Sequence, residues 1–240
     1  MIVMIKSRQE IKLQARESLK LNGNRGTAIA IILIYMVTAS IPMFLITPLI
    51  GGIGEQLGDL VINVFMMVVG IGICSEFMKV YRGEKANVGG MFSGFEFFGR
   101  NILTVALMLI LIVMWIVPGV IAYVLTENII LSAVLILLAL IPMINRILAY
   151  FAVLYILSES KEIGIVESIN LSKRMTEGHK MEIFVMNLSF IGWYTLGFFT
   201  CGILTLVFVM PYHYSADAGL YMEIRDEAIA DMRITAEELK

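Results

Sequence analysis

The sequence predicts an all-α protein, a polytopic membrane helix bundle with six transmembrane helices and short interfacial amphipathic helices. Apolar residues make up 59% of the 240 positions and charged residues 16%, against about 45–50% and 25% in soluble chains. Mean hydropathy is +0.86. The apolar residues also gather in runs of roughly 20 or more, the length that crosses a hydrocarbon core about 30 Å thick. This composition excludes a nucleic-acid binder, a disordered tail protein and a disulfide-stapled secreted domain.

The first 26 residues read as a cytoplasmic amphipathic helix. Ser7-Arg8-Gln9-Glu10 has the form of a capping box. Ile11, Ala15 and Leu19 then share one face, with Lys12, Arg16 and Lys20 beside it and Gly23 as a stop. The segment is expected to lie on anionic lipid; docking on a partner is the alternative. The first apolar run begins only near Thr27, too late and too long for a signal peptide, so it is expected to stay as an anchor.

Six spans follow, at about 27–50, 57–79, 101–126, 129–157, 183–199 and 203–222, and residues 223–240 read as a cytoplasmic acidic tail. Thr126-Glu127-Asn128 makes a tight turn between the third and fourth spans. The fourth is too long to stand upright, so tilt or a kink at Pro142 is expected. The last apolar stretch, Ile183 to Tyr221, would be nearly 60 Å as one helix, so it is divided near Thr200-Cys201-Gly202. Short amphipathic segments are expected near residues 88–98, where Phe92, Phe95 and Phe98 form an interfacial aromatic stripe, and near 164–176, closed by Gly178. His179 reads as part of a solvated helix cap.

Charge placement supports the same topology. Seventeen of the eighteen basic residues fall in the connections on one side, and the turns on the other side carry none. The positive-inside rule then puts both termini in the cytoplasm.

The exception is Arg146, inside the fourth span and roughly 16 Å from its cytoplasmic end if the helix is straight. His213 and Asp217 share a face of the sixth span at i, i+4. With Asn145 and Tyr214 nearby, Arg146, His213 and Asp217 form the candidate intramembrane polar cluster, since ionisable groups at depth are costly. Three outcomes compete: an Arg146–Asp217 pair neutralised for packing, a substrate-anion or proton site, or an Arg146 that snorkels to a cytoplasmic cavity.

Cys74 and Cys201 lack the spacing of a metal site and are expected near opposite faces, too far apart for a disulfide. No Gly-x-Ser-x-Gly elbow, His-Glu-x-x-His pair or phosphate loop occurs. No catalytic, cofactor-binding or metal-ligating residue is assigned, and a non-enzymatic protein is expected.

Several connections carry a family resemblance. They are Ser7-Arg8-Gln9-Glu10-Ile11-Lys12 with Ala15-Arg16-Glu17-Ser18-Leu19, Arg82-Gly83-Glu84-Lys85 with Met91-Phe92-Ser93-Gly94-Phe95, and Ser172-Lys173-Arg174-Met175 with Gly178-His179-Lys180. Leu188-Ser189-Phe190-Ile191-Gly192-Trp193, Leu204-Thr205-Leu206 and Pro211-Tyr212 continue the series. Together they resemble the bacterial integral-membrane family catalogued as domain of unknown function 975. The chain departs from that family in the third and fourth spans, where Val117-Pro118-Gly119-Val120 and Ile141-Pro142-Met143-Ile144 divide the usual Ile-Pro-Gly-Ile signature. The resemblance implies a multi-pass protein of the bacterial cytoplasmic membrane and supplies no functional residues. A scaffold, regulatory or envelope-protection (immunity-like) role is expected, with the lipid bilayer as partner and either a membrane protein or a second copy as a further one. The alternative is a small transporter or export-system component using the Arg146 cluster.

Overall fold

The structure, a computed structural model, describes residues 6–45 and 52–239, and every regular element among them is helical. The predicted end of the first span at Ile50, the turn beginning at Gly51, and Pro48 lie outside the described residues.

Helix α1 (Arg8–Ser18) begins at the predicted capping box: the Ser7 hydroxyl accepts from the Glu10 amide at 3.3 Å, and Glu10 accepts from the Ser7 amide at 2.7 Å. Its apolar face is not on lipid. Ile11, Ala15 and Leu19 are buried against two later helices, α3 (Gly52–Tyr81) and α11 (Met210–Ala230). An i, i+4 stripe reads the same whether lipid or protein covers it, and here Gly219 admits the protein. A Cβ at Gly219 would collide with the Tyr81 ring and with Ile11. The Tyr81 hydroxyl donates to Gln14 Oε1 at 3.1 Å, and Ser18 donates to the Tyr81 carbonyl at 3.0 Å.

Helix α2 (Asn24–Leu45) starts at a buried Asn24, which accepts from the Ala86 amide at 3.1 Å and donates to the Glu84 carbonyl at 2.8 Å. Helix α3 is exposed over most of residues 52–65 and enclosed over most of residues 66–81. The Val88–Phe95 segment, expected as an interfacial helix, is instead a 3₁₀ turn laid on that enclosed half. Glycines permit backbone-to-backbone contact: a Cβ at Gly94 would meet the Val68 carbonyl, and one at Gly72 the Met91 carbonyl. Phe95 packs on Phe65 and Phe98, with centroids at 5.0 and 5.8 Å, so the aromatic stripe is only partly outward.

The third span is α4 (Phe98–Val113) and α5 (Val117–Thr126), joined by a 3₁₀ turn. Pro118 has no N–H for the Met114 carbonyl, and the Val117 amide takes that carbonyl instead. The predicted turn is present. Glu127 is left-handed (φ 50°), and Asn128 accepts from the amides of Ile130 and Leu131 at 3.1 and 3.0 Å.

The fourth span breaks after Tyr150 rather than at Pro142, which α6 (Ile129–Ala149) contains without interruption. Helix α7 (Val153–Glu159) then runs separately. The break is stable because Ser172 and Thr176 of α8 (Ile165–Thr176) donate to the Ala149 carbonyl at 2.8 and 3.2 Å. Helix α8 is amphipathic as expected, yet Ile169, Leu171 and Met175 are buried in protein.

Helices α9 (Lys180–Leu188) and α10 (Ile191–Phe199) lead to a turn at Cys201 and Gly202, with φ of 50° and +81°. The chain is helical again from Ile203, with a π turn over Thr205–Val209 before α11. Pro211 removes one ladder donor there. Among the described residues five helical stretches are long and apolar enough to cross a membrane: Asn24–Ile41, Gln56–Tyr81, Phe98–Thr126, Ile129–Glu159 and Lys180–Phe199. The predicted sixth, 203–222, is helical but not among them. His213 and Asp217 interrupt its apolar character, and Glu223 and Arg225 follow directly after it.

Gly94→Ala should therefore lower stability by about 1–3 kcal/mol, because its Cβ meets a backbone oxygen that cannot rotate away. Gly26→Ala, inside α2 with open space around it, should be neutral or stabilising by up to about 1 kcal/mol. Thermal unfolding of the two detergent-solubilised variants measures both, and equal losses would refute the backbone contact.

Candidate functional site

Helix α11 carries His213 and Asp217 on one face, and the structure brings them together. His213 Nε2 lies 3.4 Å from Asp217 Oδ2, with both side chains 16% exposed. The other ring nitrogen, Nδ1, is 2.9 Å from the Tyr194 hydroxyl of α10, and the Phe190 ring stacks on the imidazole at 4.3 Å. Phe77 of α3 packs on the neighbouring Tyr214 at 5.3 Å. Asp217 Oδ1, His213 Nε2 and Ser215 Oγ are buried without a hydrogen-bond partner. The contact at 3.4 Å is too long for a good N–H···O bond. Tyr194 and His213 are thus hydrogen-bonded, and Asp217 stands beside them with its Oδ1 and the His213 Nε2 left unused.

Arg146 is not part of it. Because α6 ends at Ala149, Arg146 stands in the last helical turn, where a cation is favoured by the helix dipole. It enters no ion pair among the described residues, and Asn145 accepts from Lys180 Nζ at 2.8 Å. The expected Arg146–Asp217 pair rested on a straight helix to Leu157. The helix instead breaks at residues 150–152.

A second polar cluster was not anticipated from the sequence. His179, expected in a solvated cap, is 1% exposed. Its Nδ1 is 3.1 Å from Glu182 Oε2, and its Nε2 lies 3.2 Å from Arg233 Nη2 and 3.6 Å from Glu227 Oε1. Arg233 also donates to the carbonyls of Met175 and Glu177, at 3.1 and 2.9 Å. The segment read as an acidic tail therefore continues α11 and folds back over the C-terminus of α8. The i, i+3 spacing of His179 and Glu182 was the available signal; the long-range partners left none. No group of three or more His, Cys, Asp or Glu side chains suited to a metal occurs among the described residues.

Burial pushes the Glu227 carboxyl above its usual range, while His179 and Arg233 pull it back. A carboxyl whose folded pKa is raised binds its proton more tightly folded than unfolded. Its charged form therefore costs stability as pH rises through the weakly acidic range. Glu227→Gln should accordingly gain on the native protein in Tm as pH rises from about 4.5 to 7.5, starting near the ordinary glutamate range. A constant difference would show that folding leaves the Glu227 carboxyl unshifted, and an opposite one that it is held as a favourable anion; either refutes the account.

Residues 1–228 match the family described as "Protein of unknown function (DUF975)". No curated protein and no solved structure shows a match. With the family's sequence pattern running through nearly the whole chain, the protein belongs to the DUF975 family of proteins of unknown function.

Proposed function

We propose that this chain is an integral protein of the bacterial cytoplasmic membrane that acts without catalysis, as a scaffold, regulator or envelope-protection (immunity-like) component. It works through a membrane partner or a second copy of itself. Four spans, α2, α3, α4–α5 and α6, cross the bilayer, the α10–α11 hairpin dips into its cytoplasmic leaflet in place of the two further spans expected, and both termini lie in the cytoplasm. The one-sided distribution of Lys and Arg supports that orientation. Exposed apolar side chains on α5 and α6, such as Val124, Leu125, Ile130 and Ile141, suit a lipid surround.

The observation that carries the scaffold reading is how the enclosed end of the bundle uses its charges. Glu159 accepts from Arg225 at 2.5 Å and from the Tyr221 hydroxyl at 2.6 Å. Glu223 pairs with Lys6 at 2.7 Å. Glu76 accepts from Lys79 at 2.6 Å and from the Asn87 amide at 2.7 Å. These buried or half-buried carboxylates tie distant segments together instead of converging on one cleft.

A transport role is the second reading, favoured by the unpaired atoms of His213 and Asp217 beside Tyr194. Vesicles reconstituted with the protein and loaded with a pH-sensitive dye separate the two. The scaffold reading expects proton flux equal to that of empty vesicles. Protein-dependent flux that Asp217→Asn abolishes would overturn it and establish the transport reading.

A further inference from the structure

With its apolar face committed to α3 and α11, α1 presents its basic stripe to the side of the α10–α11 hairpin. Lys12 fixes the alignment: its ammonium sits 4.5 Å from the Phe190 ring centroid and donates to the Ser189 hydroxyl. Arg16 and Lys20 follow one and two turns later on the same stripe. With Arg25 at the start of α2, they rim a cavity floored by Phe208, Pro211 and Tyr212. All three basic side chains are exposed, and none enters an ion pair among the described residues. Trp193, Phe208 and Tyr212 form a chain of ring contacts beside them, with centroids at 5.5 and 5.7 Å. Basic and aromatic residues at one level are the signature of a headgroup boundary.

Further down the same hairpin the lining changes character. An open apolar depression of about 630 Å³ is bounded by Met36 of α2, Tyr194 and Phe198 of α10, and Thr205 and Leu206 of the π turn. From Tyr212 to Gly202 is about 15 Å of helix, and from Arg25 to Met36 about 16 Å. Two helices thus independently give a depth of one leaflet, half of the roughly 30 Å hydrocarbon core. The charge at the top is complementary to an anion, and the walls below suit hydrocarbon.

We propose that the groove between α2 and the α10–α11 hairpin binds one anionic phospholipid of the cytoplasmic leaflet, its phosphate held by Arg16, Lys20 and Arg25 and an acyl chain seated against Met36, Phe198 and Leu206. The site rests on the membrane placement proposed above. That placement is checked first by whether the chain sediments with membranes. A chain that stays in solution would sink the placement itself, whereas a membrane-bound chain without the lipid sinks only the site.

The test is native mass spectrometry of the full chain released from phosphatidylcholine nanodiscs doped with phosphatidylglycerol. The native protein should retain phosphatidylglycerol in preference to phosphatidylcholine. The triple variant Arg16→Gln, Lys20→Gln, Arg25→Gln should reduce its occupancy by about tenfold or more. The charge-matched triple Lys85→Gln, Lys161→Gln, Lys173→Gln should keep it. Equal loss in both triples, or undiminished retention in the first, would overturn the site. Leu206→Trp leaves the basic rim intact and fills the apolar slot, so it should also expel the lipid; retention there would overturn the acyl seat. Excess glycerol phosphate should not displace the lipid, and displacement would show a site for free phosphate instead.

Discussion

The fold depends on the enclosure of the second half of α3. Val68, Val69, Phe77 and Val80 have no exposed surface, and Ile71 is 1% exposed. Helices α1, α2, α7 and α11 and the Val88–Phe95 turn all pack on α3. Where lipid is the competing environment, burying apolar side chains gains little by itself, and close packing and hydrogen bonds decide. Both are present at Glu76. This carboxylate is 1% exposed, bonded to Lys79 and the Asn87 amide, and passed so closely by Gly90 that a Cβ there would strike it. A charge of that kind cannot face hydrocarbon, so it holds the 83–90 connection over α3.

That enclosure explains why the ends of the chain behave as they do. The N-terminal helix is captured by Tyr81 and Gly219, which turns its basic side toward the hairpin. The C-terminal segment is captured by His179 and the free carbonyls of α8, through Arg233. What remains outward is apolar along α5, α6 and α10, and basic along one edge of α1.

Much of this was legible in the sequence, for identifiable reasons. The all-helical class, the capping box at Ser7, the turn at Thr126–Asn128 and the break near Thr200–Gly202 are local, and local chemistry determines them. The amphipathic stripes of residues 7–21 and 164–176 were legible as stripes, but not what covers them, because lipid and protein select the same apolar periodicity. The Arg146–Asp217 pair is absent among the described residues, and the straight fourth helix it assumed is broken by a tertiary event. The Ala149 carbonyl finds hydroxyls on α8, more than twenty residues away in sequence, and the helix ends early. The His213–Asp217 contact survived because i, i+4 neighbours meet on any helix. The His179 cluster draws on three separate segments and left only its i, i+3 fragment visible.

The two native cysteines probe the enclosure of α3 directly. Cys74 lies buried on its inner half, and Cys201 stands exposed at the hairpin turn. Maleimide treatment of the folded protein in detergent, read by peptide mass spectrometry, should modify Cys201 alone, with Cys74 reacting only after denaturation. Modification of Cys74 in the folded protein at the rate of Cys201 would contradict the enclosure on which the account is built.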